Sequence, residues 1–420
     1  MENIVVKGFT TRAIHSPFAV NDAHKALRMP VYDSVSFELE SAEEMEAAFA
    51  GRKVVHAYSR ITNPTVEDFE QRIKAITGAF AVAALSSGMA AISTAILSIA
   101  GNGDNLIASK FLFGDTYSFF KDTLANFGIE VRLADPLNPD SFECLVDERT
   151  RALYLETVTN PLLYVPDLES FSSIAKRHEV ALVVDTTMTP PFLFDSKKFG
   201  VDVEVLSATK AISGGATVLG GLIIDNGTYD WGNNRLLAGY AKKFGPFAFI
   251  SKIRKQTVRY LGSCLTPHNA YLLSLGLETL ALRLEKACSN ALVVAKYLDE
   301  RPEIKTVNYP GLVKSPFYEI VARQFPRLPG PVVSFELEGK ERCFAFINAL
   351  RVIRRSTNLH DNKSLCIHSA STILAHLSEK ERLEAGVTPS CVRLSVGIED
   401  VEDIINDIEQ ALREVHEHEV

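Results

Sequence analysis

From residue 63 onward the chain alternates short apolar runs with longer stretches of helical spacing. The runs at 81–85, 105–108, 129–133, 152–156, 181–184, 203–206 and 221–224 read as strands buried on both faces. Between them, 88–99, 116–126 and 168–178 space their apolar residues as helices do. Asn63-Pro64 supplies a cap and a first-turn proline for another helix over 64–77. Such alternation predicts an α/β protein with a mostly parallel central sheet and helices on both faces. Ligands of such sheets sit beyond the carboxyl ends of the strands.

The two ends of the chain differ from this middle. Residues 1–60 have little apolar periodicity; Pro17, Pro30 and a run of polar residues predict an extended arm with one short helix near 41–49. Such an arm lies against another subunit or its own core. After Gly262 a long helical segment at 267–287 leads to strands near 332–337 and 391–396 and an amphipathic helix at 401–415. The expected organisation is an N-terminal arm (1–60), a large domain (61–262) and a smaller C-terminal α+β domain (263–420) closing over the first.

Composition narrows the function classes. A chain of 420 residues exceeds what one core usually organises. The formal net charge is -8 and no Lys/Arg-rich run is present, so the footprint of a nucleic-acid or anionic-lipid binder is missing. The apolar stretch 79–100 is broken by Ser86-Ser87-Gly88 and reads as strand then helix, not as a membrane span. Six scattered cysteines without a Cys-x-x-Cys pair predict reduced thiols and no structural metal. No basic and apolar leader opens the chain, and the expected location is the cytoplasm.

Four features fall at strand ends or helix starts. Lys210 follows the strand 203–206, between the hydroxyls of Ser207 and Thr209 and Ser213-Gly214-Gly215; alone it also reads as a solvated lysine. Asp185 directly follows four apolar strand residues, where an unpartnered carboxylate would protonate; it also reads as a cap of the next turn. Ser86-Ser87-Gly88-Met89 joins a strand to a helix, and backbone amides there favour a dianion that Gly88 lets approach. A plain N-cap by Ser87 is the same feature without a ligand. Tyr58-Ser59-Arg60-Ile61-Thr62-Asn63-Pro64-Thr65 brings a phenol and a forked donor just before a helix, although a lone arginine is usually a surface residue. An amine, a buried acid and a dianion cradle are what pyridoxal phosphate requires, together with an aromatic face for its ring.

With Glu156-Thr-Val-Thr-Asn-Pro161 and Val392-Arg-Leu-Ser-Val-Gly-Ile-Glu399, these motifs resemble the Cys/Met-metabolism family of pyridoxal-phosphate enzymes, the transsulfuration or cystathionine γ-synthase-like family. The resemblance runs from about residue 32 to 412. It implies an aspartate-aminotransferase-like subunit (fold type I) and a homotetramer with active sites shared across closely paired dimers. It further implies that Lys210 carries the cofactor, Asp185 pairs with its ring nitrogen, Phe113 stacks on the ring and Asn160 bonds the ring hydroxyl. Ser87, Gly88, Met89, Ser207 and Thr209 would hold the phosphate, joined by Tyr58 and Arg60 of the neighbouring subunit. Arg393 would clamp the substrate α-carboxylate, with Asn358 beside it; without the motif, an arginine in a strand reads as a salt-bridge partner.

Within the family, the stretches 220–231 and 383–389 are similar to homocysteine-forming sulfhydrylases. Asn358 is too, where γ-lyases carry serine. Three positions depart from the usual pattern: Phe113 replaces a tyrosine, His360 a glycine and Ser369 a proline. Phe113 keeps the stacking face but removes a phenol that could protonate a leaving group. A carboxylic acid of pKa about 4 departs with little help, whereas a thiol of about 8.5 needs more. Phe113 therefore favours an O-acyl-L-homoserine over cystathionine or methionine, with the acyl group left open because O-succinylhomoserine sulfhydrylases also resemble each other in this phenylalanine.

The expected reaction is a γ-replacement by sulfide or a small thiol that yields homocysteine, a step of methionine biosynthesis. Alternatives on the same scaffold are a methionine or homocysteine γ-lyase and a cystathionine γ-synthase or lyase. From another class stands a non-catalytic cofactor-binding protein. Neither nucleic acid nor membrane is an expected partner.

Overall fold

The fold is described from a computed structural model covering residues 6–15 and 24–417; Pro17 of the arm lies outside the described residues. Seven strands form the large sheet: β1 (Ala81–Leu85), β2 (Asn105–Ser109), β3 (Glu130–Ala134), β4 (Thr150–Glu156), β5 (Ala181–Asp185), β6 (Val203–Leu206) and β7 (Gly221–Asp225). Their spatial order is β1-β7-β6-β5-β4-β2-β3. The pairs β3–β2, β2–β4, β4–β5 and β5–β6 are parallel. Only β7 runs against its neighbours, β6 on one side and β1 on the other.

Every residue of β1, β2, β6 and β7 is buried, which explains runs without polar alternation. Neighbouring residues along a strand enter different cores, as a pleat requires. Leu106, Ala152, Tyr154 and Val183 pack with the helix Gly88–Ile99. Ile107, Leu153, Leu182 and Val184 pack with the helix Leu168–Arg177. The edge strand β3 exposes Glu130 and Arg132 in part, and its polar positions follow from that place in the sheet.

A second sheet of five strands comprises β8 (Thr306–Asn308), β9 (Val332–Glu336), β10 (Arg354–Arg355), β11 (Leu365–His368) and β12 (Cys391–Ser395), ordered β10-β11-β12-β9-β8. The helices Gly339–Ala349 and Val401–Glu417 close its core through Phe346, Ile404 and Ile408.

Two expected helices differ in detail. The segment expected at 267–287 is two helices, Pro267–Glu278 and Leu280–Asp299. The break has a local cause: Arg283 and Thr279 side chains both donate to the Gly276 carbonyl, competing with the helical ladder. Ala270, Leu273 and Leu277 of the first helix pack with the large sheet. The second helix spans both cores, with Leu280 and Leu284 in one and Val294 and Leu298 in the other. The helix expected at 116–126 begins at Gly114 and contains a wide π turn at Phe119–Thr123. Among the described residues no helix is long and apolar enough to cross a membrane, and no group of three or more His, Cys, Asp or Glu could hold a metal ion.

Candidate active site

A cavity of about 640 Å³ opens between the carboxyl ends of β4, β5 and β6 and the segments of the smaller sheet. Ser87, Gly88 and Met89 form one corner. Ser87 caps the following helix by accepting from Ala90 N at 3.1 Å, which leaves first-turn amides at the cavity. Glycine is required at 88 by contact, since a Cβ there would lie 2.7 Å from Ser207 Cβ. Ser207 and Thr209 line the same corner. The Thr209 hydroxyl is already engaged, donating to Gly220 O at 3.1 Å and accepting from Gly220 N at 3.0 Å. That double bond pattern pins the turn that presents Lys210.

Asp185 ends β5 and faces the cavity. Its Oδ1 accepts from Thr187 N at 2.8 Å. Burial raises its pKa, opposed by the Thr187 hydrogen bonds. Glu156 stands beside it in register on β4 and is raised further, first by burial and then by the Asp185 charge. Glu156 Oε1 accepts from Phe113 N at 2.6 Å, so this second acid fixes the residue whose ring lines the cavity. Gly114 follows Phe113 in tight contact, because a Cβ there would meet Ile373 O at 2.5 Å.

Lys210 donates from Nζ to Asn358 Oδ1 at 2.8 Å. Burial lowers its pKa, aided by the Arg393 charge and opposed by Asp361. Arg393 lies fully buried on β12, and burial brings its pKa down to about 10. Its Nη1 donates to Asn160 Oδ1 at 3.1 Å, and its Nη2 to the Thr357 and Asn358 carbonyls at 3.1 Å each. The Nε has no partner. A buried guanidinium held by three neutral oxygens, with the Nε–H and one Nη1–H unused, is a ready receptor for a carboxylate.

The cavity thus brings together Ser87, Gly88, Met89, Phe113, Asn160, Asp185, Ser207, Thr209, Lys210 and Arg393, with Asn358 reaching it through Lys210. Tyr58 and Arg60 do not join it within one chain. Arg60 lies over the Tyr58 ring at 5.4 Å and donates to the Arg259 carbonyl. Residues to which the sequence assigned no role also line it, among them Glu156, Thr187, Asp115 and His376. Glu156 carried a signal, an acid after a buried strand like Asp185. His376 carried none, for it depends on contact with Gly114 O at 3.3 Å across the fold.

These residues fit pyridoxal phosphate. The glycine cradle at 88 would accept its phosphate, and Asp185, its pKa raised by burial, would match a protonated ring nitrogen. Lys210, lowered by burial, is an amine suited to an aldehyde.

Comparison with known proteins agrees. A relative from Thermus thermophilus, O-acetyl-L-homoserine sulfhydrylase 1, is 38% identical over 96% of this chain and 99% of its own. The solved structure of an O-acetylhomoserine sulfhydrylase of Wolinella succinogenes matches with a TM-score of 0.80 and 47% identity, over 97% of this chain and all 100% of that one. A Campylobacter jejuni protein assigned as an O-acetylhomoserine (thiol)-lyase matches with a TM-score of 0.91 and 34% identity, over 97% and 100% of the two chains. That structure contains N'-pyridoxyl-lysine-5'-monophosphate. The fold is accordingly that of the fold type I pyridoxal-phosphate enzymes. The family model for Cys/Met metabolism PLP-dependent enzymes matches residues 10–413, and the chain belongs to that family of pyridoxal-phosphate-dependent enzymes.

Proposed function

We propose that the protein catalyses γ-replacement on an O-acyl-L-homoserine, taking sulfide or a small thiol and giving homocysteine. The observation that carries this reading is one cavity holding Lys210, Arg393 and the ring of Phe113, with no phenol at position 113. The likeness to O-acetylhomoserine sulfhydrylases over nearly the whole chain supports it.

Bound pyridoxal phosphate supplies an electron sink for charge developing at the substrate carbons. Ser87, Gly88 and Met89 hold its phosphate at the helix start, and Asp185 keeps the proton on its ring nitrogen. Arg393 binds the substrate α-carboxylate through its fork and so orients Cα towards Lys210. The Lys210 amine, its pKa lowered by burial, takes the proton from Cα, gives it up before taking one from Cβ, and returns protons to these carbons in turn after the nucleophile adds. Phe113 covers the ring, keeps water out and offers no proton to the departing acyloxy group, which needs none. Tyr58 and Arg60 serve the phosphate of a neighbouring subunit in a homotetramer that works in the cytoplasm.

Purified enzyme supplied with O-acetyl- or O-succinyl-homoserine and sulfide should form homocysteine. Absence of homocysteine with both esters would sink the proposal. Equal 2-oxobutanoate release with and without sulfide would place the activity among the lyases.

A further inference from the structure

Asp361 is nowhere near the cofactor motifs in sequence, yet it is buried beside Lys210. The connection runs through Asn358. Lys210 Nζ donates to Asn358 Oδ1 at 2.8 Å, and Asn358 Nδ2 donates to Asp361 Oδ2 at 3.1 Å. Asp361 is itself held, since its Oδ1 accepts from Lys363 N at 3.1 Å in a tight turn. The Asn358 carbonyl is fixed from the other side by Arg393 Nη2 at 3.1 Å.

An asparagine amide offers an acceptor at one end and donors at the other, and a half-turn exchanges them. Next to an amine that must give and take protons, the two orientations are not equivalent. With the oxygen towards Lys210, the amide accepts an N–H and leaves the nitrogen lone pair free for substrate protons. With the NH₂ towards Lys210, it occupies that lone pair instead. A carboxylate can only accept, so a partner such as Asp361 permits one orientation alone.

We propose that Asp361 is a positioning residue for proton transfer, acting through Asn358 to hold the Lys210 amine with its lone pair turned to the substrate. The inference rests on the reading that Lys210 is the proton carrier. It assigns to the Asn358–Asp361 pair a task on the amine, beyond any contact of Asn358 with substrate. It also accounts for a buried acid whose charge opposes the lowering of the Lys210 pKa by burial and by Arg393.

The test is a double-mutant cycle on the holoenzyme with D361N, N358A and the pair. D361N should lower kcat by about 10- to 100-fold, the scale of a misplaced reacting group, with KM for the acyl-homoserine changed little because Arg393 is untouched. N358A should lower kcat similarly, and the pair should fall no further than N358A alone. Loss of the Asp361 charge should also move the pH midpoint of the cofactor's visible absorbance downward. D361E, which keeps the acceptor-only carboxylate, should recover part of kcat and restore the midpoint.

Multiplying losses in the pair, or an unchanged kcat and midpoint in folded D361N, would overturn the proposal. So would a D361N whose only change is a lower melting temperature. K210A separates this outcome from failure of the underlying reading. If K210A keeps turnover, Lys210 is not the proton carrier; if K210A is inactive while D361N is normal, only the role of Asp361 falls.

Discussion

On one side of the cavity Glu156, Asp185 and the Lys210 turn stand at the carboxyl ends of three neighbouring parallel strands. On the other side Asn358, Arg393 and the 372–376 turn come from the smaller sheet and its loops. The first wall is set by ladder hydrogen bonds and by apolar strands buried on both faces. The second has one residue in a strand, Arg393, and is otherwise stitched by side chains. The departures from the resembled family collect mainly on the second side. His360 sits at φ 54° in the left-handed region, which favours glycine, and both its ring nitrogens are buried without partners. Burial and the Lys210, Arg393 and Arg283 charges depress its pKa to about 3, so it remains neutral. The Ser369 hydroxyl is likewise buried without a partner. The strand-end wall thus carries Lys210 and Asp185, while the more irregular wall carries Arg393 and lies beside two of the three departures from the family pattern, His360 and Ser369.

The largest effect should come from the first wall. K210A should lose at least about 10³-fold in turnover together with the cofactor's visible absorbance band; retention of either would show that the strand ends do not carry the chemistry. On the second wall, R393A should cost about 10²-fold or more in kcat/KM, mainly through KM, as expected for a carboxylate left without its fork. R393K should not rescue it, because an ammonium cannot make the two parallel bonds. A fall confined to kcat would break the division of labour between the walls.

F113Y should change homocysteine formation by no more than about 10-fold, while raising keto-acid release from a thiol-leaving substrate such as cystathionine. Steady-state assays on both substrates decide this, and no gain with cystathionine would remove the argument from the missing phenol. The smallest effect concerns stability. Glu204, on β6 beside the site, accepts from Thr186 Oγ1 at 2.6 Å, and burial lifts its pKa to about 7. Its folded value lies above the ordinary 4.5, so its contribution to stability is complete below that value and lost as pH rises through about 7. E204Q should therefore lose about 2 °C or more less in melting temperature than the wild type between about pH 5 and pH 8. Equal losses would show that Glu204 does not titrate in this range.

What the sequence disclosed follows the same division. Asp185 and Lys210 were legible because a polar group after a buried apolar run has a cost that demands a partner. Asn63 and Ser87 were legible as caps, and both accept the expected backbone bonds. Arg393 needed its motif: a strand arginine suggests an ion pair, yet its described hydrogen bonds go to amide and carbonyl oxygens. The split at Thr279 turns on the Gly276 carbonyl, whose residue packs so closely that a Cβ would meet Ile212 O at 2.1 Å. His376 meets Gly114 across 262 residues. No local pattern encodes such contacts, because they arise only once distant segments are packed together.

The reversed strand β7 has a consequence for the order of synthesis. β1, which delivers the Ser87–Gly88 turn, lies at the edge of the sheet, and β7 is its neighbour there. A Cβ at Gly221, the first residue of β7, would lie 1.9 Å from Ser87 O, so that turn rests on β7 itself. A chain emerging from the ribosome completes β1 at residue 85 and must wait until residue 225 for its strand partner. The anion cradle is therefore coded early and assembled late, and nascent chains stalled before residue 221 should present β1 to chaperones with no sheet to join.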